Sequence, residues 1–106
     1  RVVKRERVKP MFRMVLEFDE NKVLKNSNYD IEQMYEWLDK ICLDTWFDVI
    51  GKGEYELINN DVIGSLLVLV SRFKKQSWLI PNLKTWKTFD DEDGEQDALK
   101  FILEDL

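Results

Sequence analysis

The chain has no histidine, a single cysteine and no complete catalytic motif in its 106 residues. Without histidine it lacks the commonest general base and zinc ligand, and every Ser–His–Asp or Cys–His arrangement is excluded. Cys42 alone can form neither an internal disulfide nor a thiolate metal site. These absences predict a non-enzymatic protein that carries no cofactor and no metal.

Two partial motifs do not reach the pattern that their chemistry needs. The sequence GKG at 51–53 begins like a dinucleotide fingerprint, but Glu56 stands where the third glycine belongs. The acidic run 90–94 suggests a calcium loop, yet Lys100 falls at the twelfth position, where a bidentate acid is required. Clustered carboxylates still allow loose divalent binding. The simpler interpretation is that these acids oppose the dipole of a following helix.

No long hydrophobic run is present. The longest stretch free of charge, 62–71, has ten residues and is too short to span a bilayer. No signal-peptide pattern opens the chain. Cys42 lies in a helical, apolar neighbourhood, which predicts a buried thiol, a reducing compartment and therefore a cytoplasmic location without a membrane. Because the chain begins at Arg1 rather than at Met, we expect a trimmed or partial sequence.

Charge is instead abundant, and it is segregated into four blocks. Residues 1–13 carry six basic side chains and one acid, and 14–61 carry four basic and twelve acidic ones. Residues 62–89 carry five basic side chains and no acid, whereas 90–106 carry one basic and eight acidic ones. The net charge of −5 thus conceals strongly polarised surfaces. Such fields steer partners and do not select a fold, so they indicate binding.

The composition is that of one small globular domain. Hydrophobic residues make up 44% and aromatic residues 12%, which is too apolar for a disordered chain. A chain of 106 residues can build a single core but not two. We therefore predict a basic N-terminal arm or edge strand over 1–10 and one domain over 11–106.

Hydrophobic periodicity predicts the elements of an α+β fold. Residues 11–18 alternate as a half-buried strand, with Phe12, Met14, Leu16 and Phe18 on the apolar face. The predicted helices span about 28–50, 62–76 (capped by Asn60 or Asp61) and 94–106, the last with a capping box from Asp93 to Gln96. Further strands are predicted at 54–58, 78–80 and 84–89, and a turn at 19–28. These elements predict a small antiparallel sheet packed against about three helices in a single two-layer domain.

One core is expected to hold these elements together. Its predicted members are Phe12, Leu16, Phe18, Leu38, Ile41, Leu67, Val70, Leu99 and Ile102.

The predicted helix 28–50 is amphipathic in its first half and apolar all round in its second. Acids occupy the outer side early in the helix, and apolar residues occupy the same side later. Either another segment, such as 78–89, covers these residues, or an apolar patch bordered by acids is exposed for a partner. The candidate protein-binding residues are Glu32, Glu36, Asp39, Leu43, Trp46, Phe47 and Ile50.

A second candidate site interleaves basic and aromatic residues. Such a segment can neutralise phosphates and stack on bases. In the simpler interpretation, the cations sit favourably at a helix C-terminus and the tryptophans belong to the core. The candidate nucleic-acid-binding residues are Arg72, Lys74, Lys75, Trp78, Lys84, Trp86 and Lys87.

The leading hypothesis is a small, acidic, non-enzymatic protein that acts through protein–protein interaction. By compositional analogy, it would be an inhibitor or immunity-type binder of a basic partner, or would bind a second copy of itself. The alternative is a nucleic-acid-binding accessory protein that uses the segment 72–89 and the basic N-terminus.

Overall fold

The computed structural model describes residues 11–26, 29–91 and 94–104. The arm or edge strand predicted over 1–10 and the predicted cap at Asp93 lie outside these residues. The elements are β1 (Phe12–Phe18), α1 (Glu20–Asn26), α2 (Ile31–Asp44), β2 (Phe47–Gly51), β3 (Glu54–Leu57), α3 (Val62–Lys75), a 3₁₀ turn (Ile80–Asn82), β4 (Leu83–Asp90), β5 (Gly94–Asp97) and α4 (Ala98–Glu104).

The five strands form one antiparallel sheet in the order β2-β3-β1-β4-β5. Strand β1 lies at its centre and pairs with β4 from Phe12↔Asp90 to Phe18↔Leu83. Alternate β1 side chains are buried, as the sequence predicted, because successive residues of a strand point to opposite faces. The α+β fold with a small antiparallel sheet is confirmed.

The helices cover one face of this sheet. Asp30 caps α2 by accepting a hydrogen bond from the Glu32 N–H at 3.1 Å, and Asp61 caps α3 by accepting one from the Gly64 N–H at 2.8 Å. The buried side chains of both helices join those of β1, β3 and β4 in a single cluster, and α4 packs partly against it. No helix or strand of the described residues covers the other face of the sheet.

The helix predicted over 28–50 was wrong over 45–50. Helix α2 ends at Asp44, and 47–51 form the edge strand β2. Thr45, Val49 and Ile50 are β-branched, and Trp46 and Phe47 are aromatic, so this stretch favours a strand once a pairing partner is present. Strand β3 supplies that partner.

The other differences lie in short elements. The turn predicted over 19–28 contains helix α1, and the strand predicted over 78–80 is a turn followed by 3₁₀ geometry. The last helix begins at Ala98 rather than near 94, because 94–97 pair with β4 as strand β5. Gln96 therefore lies in a strand and makes no capping box. The helix predicted at 62–76 and the strands predicted at 54–58 and 84–89 are confirmed within a residue or two.

Most of the predicted core is correct. Five of its members are fully buried, and Val70, Leu99 and Ile102 pack against the core while partly exposed. The prediction of Leu67 as a core residue was wrong, since its side chain is 67% exposed. Helix α3 directs Leu69 and Phe73 inward instead. The buried predicted members are Phe12, Leu16, Phe18, Leu38 and Ile41.

Two leucines provide a matched test of this assignment. Leu38 is completely buried, so Leu38→Ala should lower the free energy of unfolding by about 2–5 kcal/mol. Leu67→Ala removes the same atoms from an exposed site and should change it by less than about 0.5 kcal/mol. Urea unfolding of both variants measures the difference. Equal losses would contradict the packing of α2 and α3 described above.

Candidate functional site

The chain reverses direction between α2 and β2 at Thr45 and Trp46. The Thr45 N–H donates to the Cys42 carbonyl at 3.1 Å, and its hydroxyl donates to the Ile41 carbonyl at 2.9 Å. Trp46 has φ of 73°, in the left-handed region that residues with a Cβ adopt only at a cost. Its carbonyl accepts from the Ile58 N–H at 2.9 Å. A tryptophan thus occupies a position where helices usually place glycine.

A group of exposed apolar side chains surrounds this junction. Single exposed apolar residues are ordinary, but several around one strand are a candidate interaction surface. Strand β2 is an edge strand, and within the described part of the chain it pairs only with β3. We call this group the β2-edge patch; it consists of Leu43, Trp46, Val49, Ile50 and Ile58.

The structure brings together only part of the predicted protein-binding site. Leu43, Trp46 and Ile50 are about half exposed, and Glu32 and Glu36 are exposed on α2. The segment 78–89, considered as a cover for this region, forms β4 and its preceding turn, and two strands separate β4 from β2. Sequence reasoning missed Val49 and Ile58, which an edge strand from 47 would have suggested.

Phe47 and Asp39 are not surface contacts. Phe47 is 1% exposed, because β2 turns it inward opposite Leu57, and its ring lies 6.4 Å from that of Phe12. Its prediction as an exposed anchor was wrong, since it assumed a helix at this position. Asp39 is half-buried and accepts a hydrogen bond from the Tyr55 hydroxyl at 2.6 Å. This contact ties α2 to β3.

The open face of the sheet next to the patch is acidic. The register aligns a row across all five strands, formed by Asp48, Glu56, Arg13, Phe89 and Glu95. The cations of this face lie on the inner strands: Arg13 sits 5.8 Å from the centre of the Phe89 ring, and Lys87 pairs with Glu95 at 3.1 Å. The part of the face nearest the patch therefore carries carboxylates, those of Asp48, Glu54 and Glu56.

The predicted nucleic-acid site is not assembled as expected. Trp86 is 1% exposed and packs edge-on against Phe73 at 5.1 Å, so it cannot stack on a base. The prediction of Trp86 as a nucleic-acid contact was wrong, because β4 directs its side chain into the core. Arg72 lies 3.6 Å from an Asp44 carboxylate, and Lys87 pairs with an acid. The exposed cations that remain are Lys74, Lys75 and Lys84, while Trp78 is half-buried.

Cys42 on α2 and Tyr55 on β3 are buried side chains whose surroundings suit a structural role rather than a catalytic one. The buried thiol predicted at Cys42 is confirmed. Burial, with a smaller effect of the Asp39 charge, raises the pKa of Cys42 well above its usual value, opposite to what a nucleophile needs. Burial and the hydrogen bond to Asp39 also raise the pKa of the Tyr55 phenol far above its usual range.

The described residues contain no cluster of acids and cysteine that could hold a metal ion. Their helices are also too short or too polar for any of them to span a membrane.

The Tyr55–Asp39 hydrogen bond gives a pH-dependent prediction. Tyr55→Phe leaves the Asp39 carboxylate without this donor and should lower the free energy of unfolding by about 1–3 kcal/mol. The pKa of Tyr55 is raised in the folded state, so its contribution is present below about pH 10 and is lost as the pH rises further, when the unfolded chain ionises. Urea unfolding at about pH 8 and pH 11 should show the gap between native chain and variant shrinking. A gap that stays constant would contradict the assignment.

Comparisons with known proteins do not assign the chain to a family. No protein-family model matches it, and no curated protein matches it significantly. A proposal about its function therefore depends on the residues and surfaces of the molecule.

Proposed function

We propose that this chain is a non-enzymatic domain that binds a basic protein through the β2-edge patch and the acids beside it. It would act as an inhibitor or immunity-type binder in the cytoplasm, where a reducing environment suits the free thiol of Cys42. The observation that carries the proposal is an exposed tryptophan, Trp46, in a left-handed backbone conformation.

The left-handed backbone conformation of Trp46 costs free energy for any residue that has a Cβ. Glycine would complete the same chain reversal without steric cost, so a large aromatic side chain there calls for another advantage. Tryptophan is among the residues most enriched in binding hot spots. Hydrogen bonds at Thr45 and Ile58 hold the backbone on both sides of Trp46. The indole is thus presented by an ordered junction, which lowers the entropy cost of binding.

The acids around the patch favour a basic partner over a second copy of the chain. Asp48 lies on β2 itself, and Glu54 and Glu56 lie on the neighbouring strand β3. A symmetric dimer through this edge would bring these carboxylates toward their own equivalents, and like charges at an interface oppose association. A basic protein meets the same acids favourably. The net charge of −5 acts in the same direction at longer range.

Side chains rather than strand addition would make the contact. Strand β2 has five residues, and its pairing with β3 is irregular between Val49 and Gly51. Short length, a bulge and a charged residue such as Asp48 are the features by which edge strands resist pairing with another chain. The apolar side chains of the patch remain available to enter pockets on the partner.

Replacing Trp46 should separate binding from stability. Trp46→Gly removes the indole and should weaken association by about 2 kcal/mol or more, as for a central anchor. Glycine suits the left-handed backbone, so the free energy of unfolding should stay unchanged or rise by up to about 1 kcal/mol. Titration against the partner and urea unfolding measure the two quantities. The control is Ile63→Ala on α3, an exposed apolar residue outside the patch, which should alter neither.

Affinity capture from native extract identifies the partner and distinguishes the alternatives. A basic protein that is retained by the native chain, lost with Trp46→Gly and unaffected by nuclease supports the proposal. Capture that nuclease abolishes would favour the nucleic-acid alternative. Sedimentation that shows a dimer of the native chain but a monomer of Trp46→Gly would show that a second copy is the partner.

The acids of α2 should influence the rate of encounter rather than the lifetime of the complex. Glu36 is exposed, so its charge acts mainly through long-range attraction. Glu36→Lys should slow association with the captured basic partner more than it accelerates dissociation, and raising the salt concentration should reduce the difference. Surface-based kinetics at two salt concentrations measure both rates. A change confined to dissociation would place Glu36 inside the contact instead.

A further inference from the structure

Three aromatic side chains line one pocket between the start of α2 and the turn after α3. The pocket has a volume of about 200 Å³ and is lined by Tyr29, Asp30, Gln33, Met34, Trp37 and Trp78. The Tyr29 and Trp78 ring centres are 5.6 Å apart with planes inclined by 36°. The Trp37 and Trp78 ring centres are 6.2 Å apart with perpendicular planes. None of these residues belongs to the β2-edge patch.

The pocket is supported from inside and open toward solvent. Trp78 is half-buried, and its ring lies 6.2 Å from that of Phe18 in the core. Asn82 donates a side-chain hydrogen bond to the Trp78 carbonyl at 2.8 Å, which holds the turn. Tyr29 and Trp37 are exposed, although large aromatic side chains contribute most when buried. The pocket is thus preformed and largely aromatic, and Tyr29 and Trp37 provide its accessible aromatic surface.

Negative charge accompanies the rings. Aromatic faces attract cations, and tryptophan does so most strongly. Asp30 lines the pocket, and Glu32 and Glu36 are exposed on the same helix, Glu36 in the adjoining cleft that Lys40 also lines. The N-terminal dipole of α2 disfavours a cation, but these three acids oppose it within the first two turns. The pocket therefore combines the two features that recognise an organic cation.

The geometry of the rings indicates the shape of that cation. A guanidinium group is planar and stacks on one aromatic face, so it would use a single ring, whereas the three rings here lie in planes of different orientation. A compact, methylated ammonium group presents apolar surface in every direction, and aromatic cages recognise such groups.

We propose that this pocket binds a methylated ammonium group, that of a trimethylated lysine side chain. A phosphocholine head group would bring its phosphate close to Asp30, so the charge of this residue favours lysine as the source. This inference goes beyond the proposed function and does not depend on the β2-edge patch. The two fail separately, because Trp46 contributes to one and Tyr29, Trp37 and Trp78 to the other.

Nuclear magnetic resonance of the indole N–H groups tests the proposal directly. Addition of N-acetyl-trimethyllysine amide should shift the signals of Trp37 and Trp78 with millimolar affinity. The signals of Trp46 and the buried Trp86 serve as internal controls and should stay in place. The matched probe is the neutral analogue in which carbon replaces the ammonium nitrogen, and it should bind about ten-fold more weakly.

Variants and competing probes separate the possible outcomes. Trp37→Ala should abolish the shift of Trp78, Trp37→Phe should retain part of it, and Trp46→Gly should leave affinity unchanged. Equal affinity for the neutral analogue would overturn the proposal in favour of a plain apolar pocket. Tighter binding of phosphocholine would overturn lysine as the source. Absence of any shift with the trimethyllysine probe in the native, folded chain would overturn the site itself.

Discussion

The position of β1 at the centre of the sheet is the constraint on which the rest of the molecule depends. Its inward residues meet the helices, while its outward residues Arg13, Val15 and Glu17 lie on the open face. Strand β1 is hydrogen-bonded on both sides, and among the described strands β2 and β5 form the two edges of the sheet. One edge carries the apolar patch, and the face beside it carries carboxylates. The candidate interaction surface is a consequence of this strand order.

The elements that could be predicted from the sequence are those whose burial pattern is local. The alternation of β1 and the apolar stripes of α2 and α3 are visible within a few residues of each other. The stretch 45–51 differs, because Thr45 and Val49 continue the helical phase of α2 and its strand character depends on pairing with β3. Strand β5 has no buried side chain at all, so only its pairing with β4 defines it.

The candidate sites also divide into residues with a local sequence pattern and residues that only tertiary packing brings together. Leu43 and Ile50 lie opposite the apolar stripe of the predicted helix and are exposed, but Phe47, placed on the same side, is buried because the helix assumed there was wrong. The aromatic pocket could not be predicted, because Tyr29 and Trp78 are distant in sequence and no spacing rule relates them. Tertiary packing of α2 against the turn after α3 brings the rings together.

The pairing of β1 with β4 also determines when the domain can form. Phe12 lies opposite Asp90, so almost the whole described chain must be present before the central pair of strands can close. Contacts between such distant residues cost loop entropy and slow folding, whereas the hairpin of β2 and β3 needs only neighbouring residues. During synthesis, β1 leaves the ribosome long before β4, and the edge of β1 that pairs with β4 stays unpaired until β4 is made. A chain cut short before β4 would keep this edge unpaired, and an unpaired strand edge is prone to pair with another chain.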